Sequence, residues 1–177
     1  LENFNRPESE LNNLMTLLTS TIKSEVSKMK KNNIKFNVFG FREKLPKNIN
    51  NQLDFAIKET RNNDGLNLNL ALAYSSRYEL TNAVINISKD ILDKKMTLNN
   101  ITEDTVSEYL LTKDVPDPEL LIRTGGSERL SNFLLWQSAY TEIHFSNQYW
   151  PDFNEDDLNK ALLDYQSRDR KFGRIEN

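Results

Sequence analysis

The residues from 123 to 133 have a composition that suits phosphate binding. Two adjacent glycines can turn backbone N–H groups toward an anion, and two guanidinium groups and a hydroxyl can donate hydrogen bonds to diphosphate oxygens. The residues concerned are Gly125, Gly126, Arg123, Arg129 and Ser131. A surface glycine turn with two solvated arginines explains the same residues, and composition alone favours neither interpretation.

A second group of polar side chains precedes the first predicted helix. It combines a carboxylate, an amide, an aromatic ring and a guanidinium: Glu2, Asn3, Phe4 and Arg6. From the residues alone, a helix-capping segment is the simpler interpretation.

Glu142 is a third candidate, because the alternation of its predicted strand, which also carries the single histidine His144, could put one carboxylate at a cleft. One carboxylate suits Mg²⁺, which keeps several of its waters and is held in part by substrate phosphates. A paired or exposed acid is the alternative interpretation of Glu142. A lone histidine in a strand is more often a hydrogen-bonded structural residue than a ligand.

Alternating helices and strands must position these residues. Apolar residues at a spacing of about 3.6 and capping residues predict helices that begin near residues 8, 46, 78, 102 and 154. Period-two and short apolar runs predict strands at 34–38, 66–73, 120–122 and 141–145. This alternation needs crossover connections, so we predict an α/β fold: a single domain over 1–177 with a mainly parallel central sheet covered by helices. Ligands bind such folds beyond the carboxyl ends of strands, where 123–133 lies.

The composition sets further bounds on function. The 177 residues carry 23 Lys+Arg against 26 Asp+Glu, so no basic field favours nucleic acid and we expect no nucleic-acid partner. The absence of Cys excludes disulfides, thiolate metal sites and a Cys nucleophile, and agrees with a reducing cytoplasm. No run approaches the roughly 18 apolar residues of a membrane span, so we expect a soluble, cytoplasmic protein.

Six separated motifs occur in order along the chain: Asn3-Phe-Asn-Arg-Pro7, Arg123-Thr-Gly-Gly126, Arg129-Leu-Ser-Asn-Phe-Leu-Leu-Trp-Gln137, Tyr140-Thr-Glu142, Trp150-Pro-Asp-Phe153 and Arg170-Lys-Phe-Gly173. Together they resemble the cis-prenyltransferases of the undecaprenyl diphosphate synthase type. Because several motifs in register are far more specific than any one of them, the resemblance outweighs the interpretation of 123–133 as an ordinary surface turn.

The resemblance implies an enzyme that works as a homodimer with an apolar tunnel. Its Mg²⁺-dependent reaction condenses isopentenyl diphosphate with an allylic diphosphate such as farnesyl diphosphate, and each cycle adds a five-carbon unit with a cis double bond. The product implied is a long-chain polyprenyl diphosphate, a lipid carrier for cell-wall precursors. We therefore expect transient contact with a membrane surface, where the lipid product leaves.

The resemblance also assigns roles to residues. Isopentenyl diphosphate would be held by Arg123, Arg129, Leu130 and Ser131, and Glu142 would help to place Mg²⁺. Asn3 matches a position that takes part in proton removal; because a neutral amide is a poor base, we expect it to orient groups by hydrogen bonding. On the substrate side the matching residues are Glu2, Phe4 and Arg6, with Phe4 in place of the family's usual Trp.

The chain departs from the family pattern in three places. Ala73-Tyr-Ser-Ser-Arg77 stands where the family has Asn-Tyr-Gly-Gly-Arg, so we expect Ser75 and Ser76 to make that turn less permissive toward positive φ. Ser127 replaces a Glu. The family's N-terminal strand and its loop with Asp and Gly-Asn-Gly-Arg lie outside the 177 residues. We expect that an N-terminal segment ahead of Leu1 supplies them and that the 177 residues alone are inactive.

Two other classes of prenyl-transfer protein are alternatives. A noncatalytic partner subunit of a heteromeric cis-prenyltransferase could lend Arg170, Gly173 and Arg174 to an active subunit across a dimer. The retained diphosphate and metal residues argue against a purely supporting role. The all-α prenyl synthases are disfavoured, because the sequence has no Asp-Asp-x-x-Asp and alternates strands with helices.

Overall fold

The computed structural model describes residues 8–169, which divide between two compact units, Leu1–Lys113 and Asp114–Asn177. Helices and strands follow one another as the sequence predicts: α1 (Glu8–Lys31), β1 (Lys35–Phe39), α2 (Lys47–Thr60), β2 (Asn67–Ala71), α3 (Ser76–Leu92), α4 (Glu103–Glu108), β3 (Leu120–Arg123), β4 (Glu142–Phe145) and α5 (Glu155–Ser167). The predicted α/β fold with parallel strands is confirmed. That the chain forms a single domain stays a prediction.

In the first unit, β1 and β2 pair in parallel, from Lys35 opposite Asn67 to Phe39 opposite Ala71. Helices α1 and α2 pack over this pair and bury one apolar cluster, made of Ile22, Val26, Met29, Phe36, Leu45, Ile49, Leu53 and Ala56. These residues recur every three or four positions on each helix, which is why one face of each helix is buried. Burying each large aliphatic side chain stabilises the fold by about 1.5–3 kcal/mol.

Strand β2 is shorter than the predicted 66–73. The Leu72 N–H still donates to the Phe39 oxygen at 3.0 Å, but Ala73 has φ 51, in the left-handed region, and this ends the extended backbone. Ser75 is extended at φ −154 and caps α3 by accepting a hydrogen bond from the Tyr78 N–H. Neither Ser75 nor Ser76 adopts a positive φ, and the left-handed residue of this turn is Ala73.

A buried carboxylate holds the start of α3 in place. Glu79 is almost fully buried and accepts hydrogen bonds from the Tyr74 hydroxyl and, at 2.8 Å, from the Leu111 N–H. The turn that follows β2 is thus fixed to the chain beyond α4. Both partners donate, so the burial of this acid is compensated.

In the second unit, β3 and β4 pair in parallel, from Leu120 opposite Glu142 to Arg123 opposite Phe145. Asn154 caps α5 by accepting hydrogen bonds from the N–H groups of Asp156 and Asp157, as its place before an acidic turn predicts. The helix then runs back to β4, where its last turn meets the strand through polar contacts. None of the described helices is both long and apolar enough to cross a membrane.

Gly40, directly after β1, lies close to the backbone of Leu72, directly after β2, and a substitution tests this contact. Its φ is +135, and an added Cβ would lie 1.7 Å from the Leu72 oxygen. We predict that Gly40→Ala prevents folding or lowers the free energy of unfolding by several kcal/mol, as measured by urea denaturation. Gly125→Ala is the matched control, because its Cβ would lie 3.8 Å from the nearest atom and only the backbone strain of about 1–2 kcal/mol remains. Equal losses in the two variants would contradict the packing described at Gly40.

Candidate functional site

The glycine turn after β3 is fixed to the segment after β4. Gly125 and Gly126 have φ values of +85 and +68, which favour glycine. Their N–H groups donate to the oxygens of Gln148, at 2.8 Å, and Ser146, at 3.0 Å. The expectation that these two N–H groups face an anion is therefore wrong. The glycines instead form a turn that places the following residues.

Backbone N–H groups that could meet an anion lie in the residues that follow Gly126. Among the residues that the structure describes, no acceptor receives a hydrogen bond from the backbone N–H groups of 127–131. At the end of this stretch and just after it, three non-glycine residues adopt positive φ values: Ser131 (49), Asn132 (60) and Leu134 (46). Non-glycine residues in this region cost on the order of 1–3 kcal/mol each and persist only where the surrounding structure holds them. This segment, residues 127–134, is called the anion loop below.

The predicted diphosphate residues lie on or beside the anion loop. Arg123 is half-buried at the end of β3, whereas Arg129 and Ser131 are exposed on the loop itself and Leu130 is half-buried between them. Within residues 8–169 neither guanidinium makes an ion pair, and the Ser131 hydroxyl has no hydrogen-bond partner. Arg123 beside the loop and Arg129 on it therefore carry positive charges that form no ion pair with a described residue.

Glu142 lies at the other end of the strand pair. It is the first residue of β4 and lies opposite Leu120, three positions before the pair formed by Phe145 and Arg123. At about 3.3 Å per residue, the backbones of Glu142 and Arg123 are about 10 Å apart along the strands. Four of the predicted residues thus lie at or beyond the carboxyl end of β3, namely Arg123, Arg129, Leu130 and Ser131, whereas Glu142 lies at the opposite end of the strand pair.

A charged cluster that the sequence analysis missed surrounds Glu142. Arg168 donates to the Glu142 Oε2 at 2.8 Å, to the Ile143 oxygen at 3.0 Å and to the Asp164 Oδ2 at 2.7 Å. The Asp164 Oδ2 also lies 2.8 Å from the His144 Nδ1, which confirms His144 as a hydrogen-bonded residue. These four side chains, Glu142, His144, Asp164 and Arg168, are called the Arg168 cluster below.

Sequence spacing held a signal for this cluster. Asp164 and Arg168 are four residues apart at the end of a helix, and Glu142 and His144 are two apart on one face of a strand. The Arg168 guanidinium and then the His144 ring hold the pKa of the Asp164 carboxyl below its ordinary value. Asp164 and then Glu142 raise the pKa of Arg168, which therefore stays charged.

The metal-binding side chains of the described residues fit a magnesium ion that is shared with substrate. They do not fit a site in which protein side chains alone hold the ion. The described residues contain no group of three or more His, Cys, Asp or Glu side chains that could hold a metal. Glu142 provides one carboxylate, whose Oε1 accepts no hydrogen bond from a described residue. Mg²⁺ is commonly bound by one or two carboxylates plus phosphates and waters, so Glu142 suits one place in such a set.

Several predicted site residues lie outside the described residues. They are Glu2, Asn3, Phe4 and Arg6 near the start of the chain, and Arg170, Gly173 and Arg174 near its end. Their proposed roles stay predictions.

Comparison with known proteins decides the family. A family model described as "Putative undecaprenyl diphosphate synthase" matches residues 1–173. This chain belongs to the undecaprenyl diphosphate synthase family of cis-prenyltransferases. It is 47% identical over 174 residues to an isoprenyl transferase of Clostridium tetani, an alignment that covers 98% of this chain and 68% of the relative. An isoprenyl transferase of Geobacter sulfurreducens is 46% identical over 173 residues, with 98% and 70% covered.

Solved structures of cis-prenyltransferase relatives agree. Lavandulyl diphosphate synthase from Lavandula x intermedia, in complex with dimethylallyl diphosphate, matches with a TM-score of 0.95 and 33% identity, over 98% of this chain and 75% of that one. A probable undecaprenyl diphosphate synthase from Campylobacter jejuni matches with a TM-score of 0.84 and 30% identity, over 98% and 79%. The family recognised from the motifs is confirmed, and the chain is an isoprenyl transferase.

The Arg168 cluster predicts a specific response to acid. Because the pKa of Asp164 is lowered below 3.8 in the folded protein, its stabilising effect is present at higher pH and is lost as the pH falls through that lowered pKa. We predict that between about pH 6 and pH 2 the free energy of unfolding falls more steeply for the unmodified protein than for Asp164→Asn.

Urea denaturation at a series of pH values measures this difference. Asp114→Asn is the control, because Asp114 is exposed and has no partner among the described residues. It should follow the unmodified protein. Parallel curves for all three proteins would contradict the linkage.

Proposed function

We propose that this isoprenyl transferase catalyses the Mg²⁺-dependent, sequential cis condensation of isopentenyl diphosphate with an allylic diphosphate, for which farnesyl diphosphate is the first candidate. The product would be a long-chain polyprenyl diphosphate that serves as a lipid carrier. The observation that carries the proposal is the anion loop with its neighbour Arg123, because in a chain of this family neither Arg123 nor Arg129 forms an ion pair with a described residue.

The anion loop would hold the diphosphate of isopentenyl diphosphate. Charge-assisted hydrogen bonds from Arg123 and Arg129 would meet its oxygens, and the Ser131 hydroxyl and the backbone N–H groups of 127–131 would add neutral ones. Fixing the diphosphate in this way orients the attached alkene before reaction, which removes much of the entropic cost of bringing two substrates together.

The reaction forms a carbon–carbon bond between the two substrates while inorganic diphosphate leaves the allylic one and a proton leaves the isopentenyl unit. Asn3 would orient groups near that proton by hydrogen bonding, and Glu2, Phe4 and Arg6 would contact substrate. Glu142 would hold Mg²⁺, which supplies positive charge to diphosphate oxygens when bound. Arg123 and Arg129 would supply further positive charge where negative charge sits.

The proposal includes a homodimer in the cytoplasm that contacts a membrane surface transiently to release its lipid product. Large aromatic side chains on the second unit support an association surface: Tyr140, Tyr149 and Trp150 are each about 70% exposed or more. Exposed aromatic side chains are enriched at protein contacts.

The full-length protein tests the proposed reaction directly. It is incubated with Mg²⁺, labelled isopentenyl diphosphate and either farnesyl or dimethylallyl diphosphate, the compound present in the lavandulyl diphosphate synthase structure. We expect polyprenyl diphosphates with cis double bonds, longer by whole five-carbon units, and loss of product when a chelator removes the metal. No product with any allylic diphosphate would overturn the proposal. Product only after a second cis-prenyltransferase subunit is added would favour the noncatalytic partner.

Arg129→Ala tests the anion loop itself. Because one charge-assisted hydrogen bond contributes about 1.5–3 kcal/mol, we predict that the dissociation constant for isopentenyl diphosphate rises about 10- to 100-fold, as measured by calorimetry without an allylic substrate. The melting temperature should not change, because Arg129 is exposed and has no described partner.

Arg61→Ala is the matched control for that variant. Arg61 is an exposed cation after α2, far along the chain from the anion loop, and its removal changes the net charge by the same amount. Its dissociation constant should equal that of the unmodified protein. An unchanged dissociation constant in Arg129→Ala would refute the assignment of Arg129.

A further inference from the structure

Arg168 makes three contacts that join two elements. It follows the last residue of α5, and its guanidinium reaches Glu142 and the backbone of Ile143 on β4 while it also binds Asp164 on the helix. Its side chain is 28% exposed and that of Glu142 is 29% exposed, so the contact is partly shielded from water. Such a placement differs from that of a solvated surface ion pair, which contributes little.

The contact uses one of the two carboxylate oxygens of Glu142. Nη1 of Arg168 fixes the Oε2, whereas the Oε1 receives no hydrogen bond from a described residue. A free glutamate side chain loses rotamer entropy when it is ordered. Since Arg168 already orders Glu142, a ligand that binds the Oε1 avoids much of that cost.

The two carboxylates that Arg168 contacts differ in the number of their hydrogen-bond partners. The Asp164 Oδ2 lies within hydrogen-bond distance of both Arg168 and the ring of His144. Asp164 is thereby committed to holding the guanidinium, and the planar fork of an arginine fixes the angle between its two carboxylates. Two carboxylates thus face one guanidinium, so Arg168 neutralises only part of the negative charge of Glu142 and Asp164.

We propose that Arg168 is a positioning residue: with Asp164 behind it, it holds the Glu142 carboxylate in the orientation that receives the divalent cation of the diphosphate substrate. This inference rests on the proposed function, because it assumes that Glu142 shares a metal ion with isopentenyl diphosphate. Arg168 touches neither substrate nor metal in this role. It acts through Glu142 alone.

Metal binding, measured separately from turnover, tests the proposal. The affinity of the full-length protein for Mn²⁺ in the presence of isopentenyl diphosphate is measured by electron paramagnetic resonance. Arg168→Lys keeps the positive charge but loses the fork. We expect the affinity for Mn²⁺ to fall about 10- to 100-fold, the usual effect of removing a residue that orients a metal ligand. The affinity for isopentenyl diphosphate without metal should stay unchanged.

Two further variants separate positioning from general stability. Asp164→Asn removes the support behind Arg168 at a partly exposed position, and should weaken Mn²⁺ binding in the same direction even if Arg168→Lys folds poorly. Tyr165→Phe is the control. Tyr165 lies next to Asp164 on α5, and its hydroxyl donates a hydrogen bond to the Oε2 of Glu119, the residue before β3. The substitution removes this bond and does not change Arg168. It should bind Mn²⁺ as the unmodified protein does.

The outcomes distinguish this inference from the proposed function. If Glu142→Gln weakens Mn²⁺ binding but Arg168→Lys and Asp164→Asn do not, Arg168 has no positioning role and the proposed function stands. If Glu142→Gln binds Mn²⁺ normally, the metal role of Glu142 and this inference both fail, while binding of isopentenyl diphosphate by the anion loop is tested independently through Arg129. Equal weakening in Tyr165→Phe would show a loss of general stability and overturn the inference.

Discussion

The parallel pairing of β3 with β4 is the constraint on which the candidate site depends. Its register sets Arg123 opposite Phe145 at one end and Glu142 opposite Leu120 at the other. The backbone pairing continues past the strands, because the N–H groups of Ser146, Gly125 and Gly126 bond across the two connecting segments. A shift of one residue would turn every side chain to the opposite face and would separate the anion loop from its support.

The anion loop illustrates how local strain can serve binding. The N–H groups of 127–131, which meet no acceptor among the described residues, and the left-handed residues occur together, after a glycine turn whose own N–H groups bond within the protein. Rigid support behind strained residues holds donors in place before a ligand arrives, and this preorganisation is the main source of electrostatic stabilisation in enzymes. The Arg168 cluster follows the same principle for a carboxylate, because a fixed cation orders the one side chain suited to a metal.

The α/β class, the helix starts and the family could be predicted from the sequence. Helix caps, hydrophobic periodicity and ordered motifs depend on residues that are close in sequence, so no tertiary contact is needed to recognise them. Asn154, for example, caps α5 as its neighbours indicate. Sequence reasoning failed where partners are distant in sequence: the N–H groups of Gly125 and Gly126 meet carbonyls about twenty residues away, and Arg168 meets Glu142 across 26 residues. The positive φ at Ala73 was also missed, because alanine gives no sign of a left-handed backbone.

The central claim is that the anion loop binds the diphosphate of isopentenyl diphosphate. A crystal structure of the full-length protein with this substrate tests it most directly. The account predicts that diphosphate oxygens lie within hydrogen-bond distance of Arg123, Arg129 and the backbone N–H groups of 127–131, while Gly125 and Gly126 keep their bonds to Gln148 and Ser146. A diphosphate bound elsewhere, with the anion loop empty at saturating substrate, would contradict it.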